Sequence, residues 1–348
     1  MTRTRIGTAA IVGIAVLLLV LTSTAGAQAT APAGSRPVAS GSPANISYSS
    51  SVDKFSLSYL QWLPSGFSAS HSHPLVVFLH GMGTTTNRVK GGIGGDTIPP
   101  NLVTGASAAG VILISLNTRT TSGFYADTAC GGPQEQDVLD AINHEKSLEK
   151  VSSVVLAGFS MGTVGALEIA ATHPSLVSGT ALAGPLTDLF EEQAYLGAPI
   201  PQLQADLCGQ YPAPGNTSTI AFYKSLSPLR FAPTNFSSIP IYITAGGLDT
   251  RAPNNFGLWP YAMANSTVVN SSCRFASSAG EPSGCTTTLS SLAKAHPGQY
   301  RFRFVYEGRA VHSATQIAPD DLFDFLGGTV GTGLFVANFP PTVITPAP

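Results

Sequence analysis

Three features of the sequence predict an α/β fold: a mostly parallel central sheet, flanking helices, and loop-rich insertions over it. Short runs that are apolar throughout recur along the chain, stretches of helical periodicity lie between them, and two long polar segments break the rhythm. Strands of a parallel sheet are covered by helices on both faces, so they read as continuous apolar runs rather than as an alternation.

The elements follow in order. Phe55, Leu57 and Tyr59 alternate with serines, which predicts a strand with one buried face. Leu75–Leu79, Val111–Leu116, Val154–Ala157, Ile239–Thr244 and Phe302–Tyr306 are the apolar runs read as buried strands. Between them, Glu135–Lys150 brings Val138, Leu139, Ile142 and Leu148 near one helical face and leaves Glu145 and Lys146 outside. Thr163–Thr172 is a short apolar helix stopped by His173 and Pro174, and Asp320–Leu326 starts another after Pro319. The segments 188–235 and 254–298, each carrying cysteines and glycosylation sequons, are read as insertions over the sheet.

Charged residues make up 10% of the 348-residue chain, against roughly 25% in ordinary globular proteins. Hydrophobic residues at 43% suffice for a large core, and the absence of any basic run argues against a nucleic-acid partner. Arg3 and Arg5 precede an uncharged, mostly apolar run from Ile6 to Leu21, and Ala25-Gly26-Ala27 supplies an A-x-A cleavage site. Residues 1–27 are therefore read as a secretory signal peptide, with a retained membrane anchor as the alternative. Cleavage removes two arginines and no acidic residue, which takes the net charge from −2 to −4. Residues 28–50 read as a flexible Ala/Ser/Pro linker, 51–330 as the globular domain and 331–348 as a Pro-rich tail. The expected product is a secreted, extracellular monomer with no stable membrane insertion.

Four cysteines suit that compartment, although they allow three pairings. Cys273 and Cys285 flank a short Ser/Gly-rich loop that a local bridge would pin, which leaves Cys130 with Cys208. No C-x-x-C spacing supports a zinc or redox site. The sequons at Asn45, Asn216, Asn235, Asn265 and Asn270 mark surface loops. Lys90–Gly95 matches no phosphate-binding pattern and reads as a loop, while Ser147-x-x-Lys150 lies at the polar end of a helix without a partner motif. No metal or cofactor is expected.

Gly158-Phe159-Ser160-Met161-Gly162 is a G-x-S-x-G between a predicted strand and a predicted helix. A sharp turn there exposes the serine hydroxyl, and the helix N-terminus directs N–H groups and a positive dipole at developing negative charge. A serine needs a base and an orienting carboxylate to become nucleophilic. Asp249 follows the strand Ile239–Thr244, and His312 follows Phe302–Tyr306. Asp188 and Glu307 are the next candidates for the acid. The other histidines have plainer positions: His71 and His73 in a polar loop, His144 on the exposed part of a helix, His173 and His296 before prolines. His80-Gly81-Met82-Gly83 leaves another strand, where the N–H of Met82 (or of Gly81 or Gly83) joins that of Met161 as a candidate oxyanion hole. Phe124, Tyr125, Phe159, Trp259 and Tyr261 lie near these segments and suit core packing as well as substrate contact.

With these motifs in the order Ser160, Asp249, His312, the sequence from about Phe55 to Leu326 resembles the α/β-hydrolase superfamily. Glu135–Ile142 and Ala171–Pro174 are similar to a secreted esterase branch around dienelactone hydrolases, polyester depolymerases and prolyl-oligopeptidase-like catalytic domains. The elbow resembles that of cutinase-like polyester hydrolases, whose oxyanion hole uses the Met after the serine. Thr163 departs from that pattern, which usually has Gly, and Ala183-Gly184-Pro185-Leu186 holds no aromatic wall residue. The resemblance implies a secreted serine hydrolase that cleaves carboxylic esters, polymeric ones among them, through an acyl-enzyme. The alternatives are a peptidase or amidase of the same fold, or a catalytically inactive binding protein built on it.

Overall fold

The computed structural model describes residues 43–83, 98–252 (apart from 121, 198–199, 212–215, 232, 237 and 247–248), 302–307 and 311–332. Its centre is an eight-stranded sheet. The strands are β1 (Ala44–Ser49), β2 (Ser56–Trp62), β3 (His73–Leu79), β4 (Ile112–Leu116), β5 (Val151–Phe159), β6 (Gly179–Ala183), β7 (Ile241–Gly246) and β8 (Phe302–Glu307). Their spatial order is β1-β2-β4-β3-β5-β6-β7-β8. β1 and β2 run antiparallel at one edge, and the remaining six strands are parallel.

Period two explains how both faces are covered. On β3, Leu75, Val77 and Leu79 point to one side, where they meet Val138 and Ile142 of helix α2 (Gln134–Leu148) and Ala166 and Leu167 of α3 (Gly162–Thr172). Val76 and Phe78 point to the other, toward Leu102 of α1 (Pro100–Ala108) and Leu322 of the last helix, Pro319–Thr332. Each side chain so sealed stabilises the fold by roughly 1.5–3 kcal/mol.

Four expectations are corrected. The linker read over 28–50 does not extend to residue 50: Ala44–Ser49 is a strand, because Ile46 and Tyr48 alternate with exposed neighbours and bury one face against β2. His73 is not in a polar loop but opens β3, its Nδ1 2.9 Å from Gly110 O. Glu145 does not lie outside its helix. It is fully buried, accepting hydrogen bonds from Tyr59 Oη at 2.7 Å and Gln61 Nε2 at 2.6 Å. The first insertion is not loop-rich throughout, since it holds helices α4 (Leu189–Leu196), α5 (Pro201–Asp206) and α6 (Thr217–Ser225). β6 is a further strand that no long apolar run announced.

The Cys130–Cys208 disulfide closes a separation of 78 residues and ties the first insertion to the loop after β4. Asp206 adds to the tie: its Oδ2 accepts from Thr120 Oγ1 at 2.8 Å and from Ser122 Oγ, and its backbone carbonyl accepts from Thr128 Oγ1 at 2.7 Å. The second insertion, the Cys273–Cys285 pair, Lys90–Gly95, Trp259, Tyr261 and the 1–27 segment lie outside the described residues. Among the described residues no helix is long and apolar enough to cross a membrane.

Candidate active site

Ser160 occupies the turn between β5 and α3 with φ of +52°, in the left-handed region that costs an L-residue roughly 1–2 kcal/mol. The surroundings hold it there. Its N–H donates to Ala183 O at 2.9 Å, and its carbonyl accepts from Thr163 N at 3.0 Å and from Thr163 Oγ1 at 2.6 Å. Gly162 lets α3 start hard against β3, since a Cβ there would lie 2.0 Å from Leu79 O. Ser160 itself remains partly exposed, whereas Met161 beside it is buried.

Asp249 lies beyond the end of β7 and is almost fully buried. Its Oδ2 is 2.7 Å from His312 Nδ1, and its Oδ1 accepts the N–H groups of Arg251 at 2.8 Å and Ala252 at 2.9 Å. Burial pushes the carboxyl upward, but the His312 hydrogen bond and charge and the two backbone donors outweigh it and hold Asp249 below the usual carboxylate range. His312 follows β8, and Gln316 Nε2 donates to Val311 O beside it.

The imidazole packs against the residue that precedes the serine. The Phe159 ring, one residue before Ser160, lies 4.8 Å from that of His312, centroid to centroid. On another side stands Gly184, the residue after the acceptor of the Ser160 N–H. It has φ of +52°, and a Cβ there would lie 2.9 Å from both Cε1 and Nδ1 of His312 and 3.2 Å from Asp249 Oδ2. Ser160 Oγ and His312 do not share a hydrogen bond in this structure. Such bonds are often long without substrate and tighten in the reacting complex.

Met161 is the N-cap of α3, and Met82 follows β3, the strand that pairs with β5 through Leu79 and Gly158. Both backbone positions thus fall at the same sheet end as Ser160. Asp188 starts α4, its Oδ1 accepting from Phe190 N at 2.9 Å, and the Glu307 side chain lies outside the described residues. Phe124 and Tyr125 are core residues. Among the described residues no three His, Cys, Asp or Glu side chains are placed to hold a metal.

No family model matches the sequence, and no curated protein does either. Solved structures do. Over 86% of this chain the fold matches an acylaminoacyl peptidase of Pyrococcus horikoshii, with a TM-score of 0.56 and 16% identity, while covering 42% of that chain. An S-formylglutathione hydrolase from Agrobacterium tumefaciens matches over 82% of this chain and 94% of its own, with TM-score 0.51 and 15% identity. This chain has the α/β-hydrolase fold. FphF, a fluorophosphonate-binding serine hydrolase of Staphylococcus aureus, matches over 82% of this chain and 99% of its own, at TM-score 0.50 and 14% identity. This chain spans less than half the length of the peptidase.

Within this fold two residues matter beyond what their local patterns predict: Gly184, which stands where no aromatic wall residue is found, and Thr163, which opens a predicted helix and departs from the elbow motif. Both act through contacts with residues distant in the chain, which no local pattern announces.

Proposed function

We propose that this protein is a secreted serine hydrolase that cleaves carboxylic esters. The observation that carries the reading is the His312 imidazole, held by buried Asp249 and packed on Phe159, the residue before the strained turn that bears Ser160. His312 takes the hydroxyl proton as Ser160 Oγ attacks the ester carbon, and Asp249 fixes the ring and favours its cationic form. The N–H groups of Met82 and Met161 stabilise the tetrahedral oxyanion, each worth roughly 2.7–4 kcal/mol at the transition state. The alcohol departs with the proton from His312. Water then adds to the acyl-enzyme, again losing a proton to His312, and Ser160 recovers its own as the acid leaves. Export is supported by the Cys130–Cys208 bridge, since disulfides persist in oxidising compartments. Polymeric esters are included in the proposed range because of the cutinase-like elbow.

A second reading, hydrolysis of amides or peptides, draws on the likeness to the acylaminoacyl peptidase. A panel of p-nitrophenyl esters of graded chain length, aminoacyl anilides and a polyester film separates the two. Ester turnover that disappears in Ser160→Ala is the expected result. Cleavage of anilides alone overturns the ester assignment, and no turnover of any member by folded protein favours a binding role.

A further inference from the structure

We infer that Thr163 is a positioning residue whose hydroxyl locks the nucleophile's turn to the segment 183–186, against which the base lies; this rests on the proposed roles of Ser160 and His312. Thr163 is fully buried. Its Oγ1 donates to Ser160 O at 2.6 Å and accepts from Leu186 N at 2.8 Å, so a single oxygen spans the two segments. Leu186 is itself nearly fully buried, and its N–H pairs there with that oxygen.

The arrangement has a consequence for geometry. Both backbone polar groups of Ser160 are referred to the segment 183–186: the N–H bonds Ala183 O directly, and the C=O is linked to Leu186 N through Thr163. The same segment holds Gly184, which abuts His312 and Asp249, and its N–H donates to Thr244 O of β7 at 3.0 Å. Serine and imidazole thus share one frame. A left-handed conformation at a non-glycine residue persists only where its surroundings over-determine it, and Thr163 supplies one of the bonds that do so. This explains why a hydroxyl residue is useful at a position where a glycine would leave the Leu186 N–H to find another partner.

The test compares Thr163→Val, which keeps the shape and loses the hydroxyl, Thr163→Ala, and Thr163→Ser, which keeps the oxygen. On a p-nitrophenyl ester, Val and Ala are expected to lower kcat about tenfold with KM within about twofold, and Ser to stay within about threefold of wild type. Fluorophosphonate labelling rates should fall in parallel. Hydrogen exchange at the Leu186 amide, a readout independent of turnover, should quicken in Val and Ala and not in Ser. If Val does not fold, Ala against Ser decides. Equal kcat in Ala and Ser, or unchanged exchange at Leu186 in Ala, overturns the inference. A wild type that neither turns over ester nor labels, with Leu186 exchange behaving as expected, instead overturns the hydrolase reading and leaves the lock standing.

Discussion

Among the described residues, two clusters combine a hydroxyl, an imidazole and a buried carboxylate. Between β2 and α2, Tyr59 Oη donates to Glu145 at 2.7 Å and lies 3.1 Å from His144 Nδ1. At the ends of the parallel strands, Asp249 holds His312 against Phe159, the residue before Ser160. The inventories are alike; the backbones are not. Tyr59 sits within a strand that is paired on both sides, and its side chain is fully buried. Ser160 lies past a strand end, at positive φ, partly open and next to a helix N-terminus. Polar chemistry alone does not make a site. A strained, accessible turn with backbone donors at hand distinguishes the second cluster from the first, where the same groups satisfy one another and hold the sheet edge to its helix.

Removing the acid from each cluster sharpens the contrast. Asp249→Asn keeps the shape but takes away the acceptor that orients the ring, and should lower kcat by about 10³–10⁴-fold. Steady-state kinetics on an ester checks this, and a loss below tenfold would give the carboxylate role to another residue. Next in size is Gly184→Ala, whose new Cβ would meet His312 at 2.9 Å from a backbone that disfavours any side chain. Displacing the ring should reduce kcat about 100-fold, and unchanged kcat would show that the ring does not depend on this contact.

Glu145→Ala should do the reverse. It strips the acceptor from Tyr59 and Gln61 in the core, so urea unfolding should show a loss of about 3 kcal/mol while kcat stays within about twofold of wild type. An activity loss matching that of Asp249→Asn would erase the distinction between the clusters. The smallest effect concerns Glu168 on α3, which pairs with Arg230. Burial raises its pKa, Arg230 pulls it back and Glu135 adds to the rise, for a value of about 7 against an ordinary 4.5. The folded protein therefore binds this proton more tightly than the unfolded chain does. The stability it contributes is complete below 4.5 and is lost as the pH rises through about 7. Glu168→Gln should flatten that fall, read as urea midpoints at about pH 5 and about pH 8. An equally steep fall in the variant would assign it elsewhere.

The legible parts were those that local pattern controls. β3, β4, β5, β7 and β8 each contain an apolar run long enough to recognise, and the G-x-S-x-G between strand and helix marked Ser160. β6 did not stand out because Gly179-Thr-Ala-Leu-Ala183 fills its place with small side chains, which a tightly covered central strand accepts. β1 was hidden by the Ala, Ser and Pro around it, although Ile46 and Tyr48 already alternate. Glu145 looked like a solvated helix charge because the partners that bury it, Tyr59 and Gln61, stand more than 80 residues earlier. At the site, residue types and chain order could be read, whereas the shared frame of Thr163, Gly184 and Leu186 exists only after the sheet has assembled.

The most direct measurement is fluorophosphonate labelling with mass-spectrometric mapping of the modified peptide, in wild type and in His312→Ala. The expected result is a phosphonyl group on Ser160 in the wild type and its loss, or a steep slowing, when the imidazole is removed. Modification of a different serine, or labelling of Ser160 that proceeds unchanged without His312, would contradict it.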